Sequence, residues 1–131
     1  MTAPLSLPIH VRAYVPDGNE PKSGRNHAPQ ASQWSIVFDC ETTVDSAQQL
    51  RFGTYQLRKG GTIREQGYFY DENALSREEM AILRATAAKQ NVKAISKDAF
   101  VDTVLYRMGY ELRALIIGFN LPFDISRLAI G

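Results

Sequence analysis

Trp34-Ser35-Ile36-Val37-Phe38-Asp39-Cys40-Glu41-Thr42-Thr43 is an apolar run that ends in two acids one residue apart. Trp34–Phe38 is almost continuously apolar, the pattern of a central strand covered on both faces. A dry strand has no reason to end in Asp-x-Glu unless something positive waits there. Strand alternation puts Asp39 and Glu41 on one face, roughly 7 Å apart along the backbone, and Cys40 on the other. Two bare carboxylates there would repel, and a hard divalent cation with a preference for oxygen ligands removes that repulsion. A second stretch, Leu115-Ile116-Ile117-Gly118-Phe119-Asn120-Leu121-Pro122-Phe123-Asp124, repeats the design with an Asn and an acid at its end.

Between these two stretches the chain alternates its periodicity. Leu50–Arg58 and Thr62–Tyr70 are rich in aromatic and β-branched residues, and Lys59-Gly60-Gly61 between them predicts a hairpin turn. Ser76-Arg77-Glu78-Glu79 is a capping box, followed by Met80, Leu83 and Ala87 at helical spacing. Ser96 predicts the cap of a second helix, with Ile95 and Phe100 as its hydrophobic staple. Its buried stripe is Phe100, Val101, Val104, Leu105 and Met108, and Gly109 is expected to stop it. Leu115–Gly118 reads as a fourth strand, and Asn120 as the cap of a last helix with Pro122 in its first turn. The order β-β-β-α-α-β-α predicts a mixed α/β sheet: an antiparallel three-strand meander plus a fourth strand parallel to the first through a right-handed crossover. Both acid-bearing strand ends then lie at one sheet edge, where open α/β sheets hold ligands.

Residues 1–33 differ from the rest. Pro8–Val15 alternates like a short strand, and the stretch from Pro16 to Gln33 reads as loop. The expected organisation is an arm over 1–33 and one domain over 34–131. A hydrophobic content of 44% fits a globular chain, and a net charge of +1 gives no global pull toward nucleic acid. The single cysteine, Cys40, reads as a small buried hydrophobe; it suits a reducing compartment, so a cytoplasmic location is expected. There is no zinc-ligand spacing, no secretory signal and no run of membrane-spanning length.

Asp124 falls in the first turn of the last helix, within reach of the Asp39 strand end if the two strands are neighbours. Three carboxylates without Cys or His suit Mg²⁺ or Mn²⁺. The commonest use of such a set is phosphodiester hydrolysis with two ions about 3.5–4 Å apart. Phe38-Asp39-Cys40-Glu41-Thr42-Thr43 resembles the first motif of the DEDD-type 3′–5′ exonucleases. Gly118-Phe119-Asn120-Leu121-Pro122-Phe123-Asp124 resembles their second. The Phe-Asp ending and the N-terminal leader look closest to the proofreading domains of family B DNA polymerases. This resemblance covers residues 34–131 and implies an RNase H-like fold and a metal-dependent 3′–5′ exonuclease acting on a single-stranded nucleic-acid 3′ end, DNA in preference to RNA. It implies that Asp39 bridges two ions, Glu41 binds the one that activates water, and Asp124 holds the second. Thr42 would lie near the terminal 3′-OH, and Phe119 and Asn120 would contact the substrate strand. On the residues alone, Asn120 is a plain helix cap, Phe119 and Phe123 read as core, and Thr42 and Thr43 end a strand.

The family's third motif adds a fourth acid with a Tyr or His base shortly before it. Residues 1–131 hold no counterpart; Gly131 lies seven residues past Asp124, and His10 and His27 fall in the arm and read as surface residues. The chain is therefore expected to be close to inactive alone, as the front part of such a domain: a truncated product, an excised piece or one half of a split protein. The alternative is an inactive RNase H-like module that binds nucleic acid or a partner. A different RNase H-like nuclease or transposase fits the second motif less well. Arg58, Lys59, Arg64, Arg84, Lys89, Lys93 and Lys97 could track a phosphate backbone, but solvated, paired faces explain them equally well.

Overall fold

The acid-bearing segment forms β1 (Trp34–Thr42), which pairs antiparallel with β2 (Leu50–Lys59). The structure, a computed structural model, describes residues 32–129. β2 pairs antiparallel with β3 (Thr62–Tyr70) through a two-residue turn. Gly60 and Gly61 both have positive φ, 55° and 83°, as the tight hairpin turn between right-twisted strands requires. After β3 come α1 (Arg77–Gln90), β4 (Lys93–Ser96), a short α2 (Lys97–Ala99) that continues into a π-helix (Phe100–Glu111), β5 (Leu115–Ile117) and α3 (Leu121–Ala129).

The result is an α/β fold on one five-stranded mixed sheet, in the order β4-β3-β2-β1-β5. β5 lies parallel to β1, with Val37 beside Ile117, and β4 lies parallel to β3. β1, β3, β4 and β5 therefore point the same way, and their C-terminal ends share one end of the sheet.

The inner face carries the core. Ile36, Phe38 and Cys40 of β1, Tyr55 and Leu57 of β2 and Phe69 of β3 pack under Phe100, Val104 and Met108 of the π-helix and Leu128 of α3. Its centre is an aromatic stack in which the Phe69 and Phe100 ring centres lie 4.1 Å apart with the rings nearly parallel. Tyr55 and Phe38 close round them at 5.2 and 5.6 Å from Phe100. Gly53 sits opposite Cys40 because a Cβ there would overlap the Phe69 ring and the Asp39 carbonyl. The outer face is only partly covered, by α1. Tyr68 donates to Gln90 Oε1 at 2.7 Å, and Tyr70 receives Arg84 Nη2 at 2.8 Å. β1 is thus dry on one face only, and Val37 lines an open groove on the other.

The starts of α1 and α2 form as their sequences imply. Ser76 and Glu79 make the reciprocal capping box, and Ser96 Oγ accepts from the Ala99 N–H at 3.1 Å. Phe100 is fully buried, and Ile95 packs on the same cluster.

Three expectations are corrected. β4 is a fifth strand inside a region read as a helix–helix connection; Asn91, left-handed at φ 54°, ends α1 and turns the chain into it. Gly109 does not stop the second helix, which runs to Glu111; Gly109 lies against Ile116, where an added Cβ would sit 3.4 Å from its Cδ1. That helix closes its bonds five residues back, as Leu112 N–H to Arg107 O shows at 3.3 Å, and its buried residues recur every fourth position. The strand expected over Leu115–Gly118 ends at Ile117.

The strand expected over Pro8–Val15, most of the arm, His10 and His27 lie outside the described residues. At the arm's end, Ser32 Oγ donates to Leu112 O at 3.1 Å, and Gln33 O accepts from Gly60 N–H at 2.9 Å. Several basic residues are engaged within the fold. Lys59 stands over the Trp34 ring, Lys93 pairs with Glu65 at 2.6 Å, and Lys97 pairs with Asp71 at 3.5 Å.

Candidate functional site

Asp39 and Glu41 emerge on the outer face near the end of β1, and both are exposed. Cys40 between them points into the core, as alternation requires. β5 pairs with β1 only as far as Val37, so the β1 edge from Phe38 onward is not covered by a strand on that side. Asp124 fills this place. α3 starts four residues after β5 ends, and Asp124 stands in its first turn with its N–H bonded to Asn120 O at 3.0 Å.

Asp124 is only 2% exposed, the sole charged residue among the buried ones described. Backbone N–H groups of Cys40 and Asn120 support its carboxylate, but its Oδ2 has no hydrogen-bond partner. Burial, and then the nearby Asp39, push its pKa up from the ordinary value. Burial pushes the Cys40 thiol up to about 12, with Asp124 and Asp39 adding to the effect; its Sγ lies 3.8 Å from Asp124 O. A buried carboxylate with one oxygen unpaired and another acid beside it is a costly arrangement without a cation.

The structure therefore brings Asp39 and Asp124 into one electrostatic unit at the shared end of β1 and β5. It does not gather the three acids into a cage: among the described residues no group of three or more His, Cys, Asp or Glu stands close enough to hold a metal ion. Asp39 and Asp124, the latter with its orphaned Oδ2, are the residues that could hold one hard cation, with Glu41 on the neighbouring outward position of β1.

The remaining sequence candidates fall as follows. Thr42 is the half-buried last residue of β1. Asn120 precedes α3, where its carbonyl takes the N–H groups of Phe123 and Asp124, and it is exposed. Phe119, read as core on the residues alone, is instead fully exposed just past β5. Phe123 is half-buried with the Arg127 guanidinium 4.9 Å from its ring centre.

Two further residues shape the site. Thr43 accepts the Gln49 N–H at 3.0 Å and donates to Asp45 Oδ1 at 2.6 Å, closing the β1–β2 loop. Arg127 reaches from α3 to that loop, donating to Ala47 O and Gln48 O at 3.1 and 3.2 Å. Its i+3 spacing from Asp124 was the available signal. Beside it, at the same end of the sheet, a polar cavity of about 520 Å³ opens toward Asp71, Lys97 and Asp98. Compared with models of protein families, with curated proteins and with solved structures, the chain gives no significant match. Among the described residues no helix is long and apolar enough to cross a membrane.

Proposed function

We propose that this chain carries the acidic site of a metal-dependent 3′–5′ exonuclease domain with an RNase H-like fold, acting on the 3′ end of single-stranded nucleic acid, DNA in preference to RNA. The observation that carries the reading is the unpartnered, buried Asp124 carboxylate beside Asp39 at adjacent parallel strand ends. The antiparallel β1–β2–β3 meander with β5 parallel to β1 supports the fold. Asp39 and Asp124 would hold the first Mg²⁺ or Mn²⁺, and Glu41 would contribute to a second. Such ions lower the pKa of bound water and stabilise the leaving 3′ oxygen. The protein's own contribution is orientation. Arg127 ties the helix bearing Asp124 to the β1–β2 loop, and the Cys40 N–H fixes one side of the carboxylate.

A second reading, a scaffold that binds without cleaving, is favoured by the lack of a three-ligand cluster among the described residues. Calorimetry with Mn²⁺ and a 3′-end degradation assay separate the two. Weak Mn²⁺ binding that Asp39→Ala abolishes is expected. Degradation by residues 1–131 should stay near background and rise when a segment bearing the missing acid and base is appended. No heat with Mn²⁺, or an equal response in Asp39→Ala, would rule out the metal site.

A further inference from the structure

We propose that the groove on the outer face of the sheet receives the unpaired bases at the 3′ end of a single strand, and holds them by base edges and rings rather than by phosphates. The inference rests on Asp39 marking the reactive end, as argued above. The groove has a volume of about 760 Å³, within the range of about 300–1,000 Å³ typical of ligand sites. Two cross-strand rows make its floor: Asp39–Thr54–Tyr68 and, beside it, Val37–Gln56–Gln66. The exposed Phe119 stands at the β5 side, and Gln90 at the α1 side.

Charge decides against phosphate. Among the described residues, Asp39 is the only Asp, Glu, Lys or Arg in the lining. Two nearby cations already have partners. Arg58 donates to Gln56 Oε1 at 2.8 Å and to Gly61 O at 2.6 Å, and Lys93 is paired with Glu65. Among the described residues, a sugar-phosphate backbone laid along this floor would meet one acid in the lining and, at its edge, only a guanidinium already bonded to Gln56 and Gly61.

Hydrogen-bonding capacity points to base edges. Gln56 donates to Gln66 Oε1 at 3.3 Å, which leaves the Gln66 amide N–H₂ as a donor to the groove. Tyr68 gives its proton to Gln90 Oε1, which leaves the phenolic oxygen as an acceptor and the Gln90 N–H₂ as a second donor. Thr54 adds a hydroxyl that can do either. Neutral donors and acceptors beside a free aromatic ring match the edge and face of a nucleobase, and stacking is tolerant of sequence. An extended peptide is a poorer fit, because peptides add to an unpaired strand edge and this floor is formed by strands already paired with one another.

The test is fluorescence anisotropy with the full chain and a short labelled oligothymidylate, with Ca²⁺ replacing Mn²⁺. The same strand with its last two bases removed is the comparison. Loss of the bases should weaken binding at least tenfold. The slope of log K against log salt should be shallower than about −1, fewer than about two phosphates' worth. Gln66→Ala should weaken binding several-fold, Gln66→Lys should steepen the salt slope, and Tyr106→Ala, on the π-helix and outside the groove lining, should change nothing. Equal affinity for the abasic strand, a wild-type slope of −2 or steeper, or no response to Gln66→Ala overturns the groove assignment. The exonuclease reading is judged separately. Base-dependent binding without Mn²⁺-dependent shortening, even after the missing acid and base are supplied, would sink the enzyme and leave the groove. Shortening indifferent to the terminal bases would sink the groove and leave the enzyme.

Discussion

Asp124 illustrates how much one residue carries and how little of that its sequence context shows. The motif places an acid in the first turn of a helix, which ordinarily is a favourable solvated position. The structure buries it against Cys40 and leaves Oδ2 unpaired, a fact fixed by where β5 stops relative to β1. The consequence for stability has a definite sign. A carboxyl whose folded pKa is raised binds its proton more tightly in the folded state, so folding is favoured at low pH. That contribution is lost as pH rises from the ordinary value of 3.8 through the folded pKa. Urea unfolding in chelator should therefore show stability falling over that window. Asp124→Asn should flatten the dependence and, near neutral pH, raise stability by about 1 kcal/mol, the low end of what an unsatisfied buried group costs. The same substitution should remove Mn²⁺ binding; a variant less stable than wild type at neutral pH would show that the carboxylate is already compensated. Cys40 follows from simpler reasoning, since alternation alone puts it inside. With its thiol pushed up to about 12 by burial and the acids around it, it should react with thiol reagents only on unfolding. Phe119 went the other way: its apolar character reads as core, and only the end of β5 at Ile117 leaves it in solvent.

At the scale of elements, legibility tracked how many independent signals each one carried. The β2–β3 hairpin has β-rich strands and a Gly-Gly turn, and α1 has a capping box followed by periodic apolar residues; both formed where the sequence puts them. β4 has four residues, of which Ile95 is the only large apolar one, and that residue also serves the staple of the next helix. Nothing local separates a four-residue edge strand from a helix entry; pairing with β3 decides it, a long-range fact. The π winding is equally silent in sequence, since Phe100, Val104 and Met108 fit an α stripe as well. Two substitutions test these elements. Gly53→Ala should destabilise by about 1–3 kcal/mol, because the added methyl meets a stacked ring and a carbonyl that have no room to retreat. Ser76→Ala should cost about 1 kcal/mol through loss of the cap. Chemical denaturation reads both, and a neutral Gly53→Ala would mean that the Phe69–Phe100 stack is looser than its geometry indicates.

For the molecule as a whole, the shared direction of β1, β3, β4 and β5 gathers the site acids, the β1–β2 loop and Arg127 at one end of the sheet. The same topology leaves β5 as an edge of only three residues, with Leu115 62% exposed and Leu112 and Ile117 also in solvent. Among the described residues no strand pairs with its outer edge. Native sheets usually guard such an edge with charge, a bulge or a covering element, and the three residues Leu115-Ile116-Ile117 bring none of the charge. An unguarded apolar edge pairs with another edge, and the nearest supply in a purified sample is a second copy of the chain. Sedimentation velocity over a concentration series should show association that increases with concentration, and Leu115→Lys should weaken it at least tenfold by placing a charge on the edge. That substitution lies outside the groove lining, so oligonucleotide binding should persist in it. A wild-type chain that stays monomeric at high concentration would mean that the β5 edge is covered, and Leu115→Lys would then be expected to destabilise the fold instead of dispersing it.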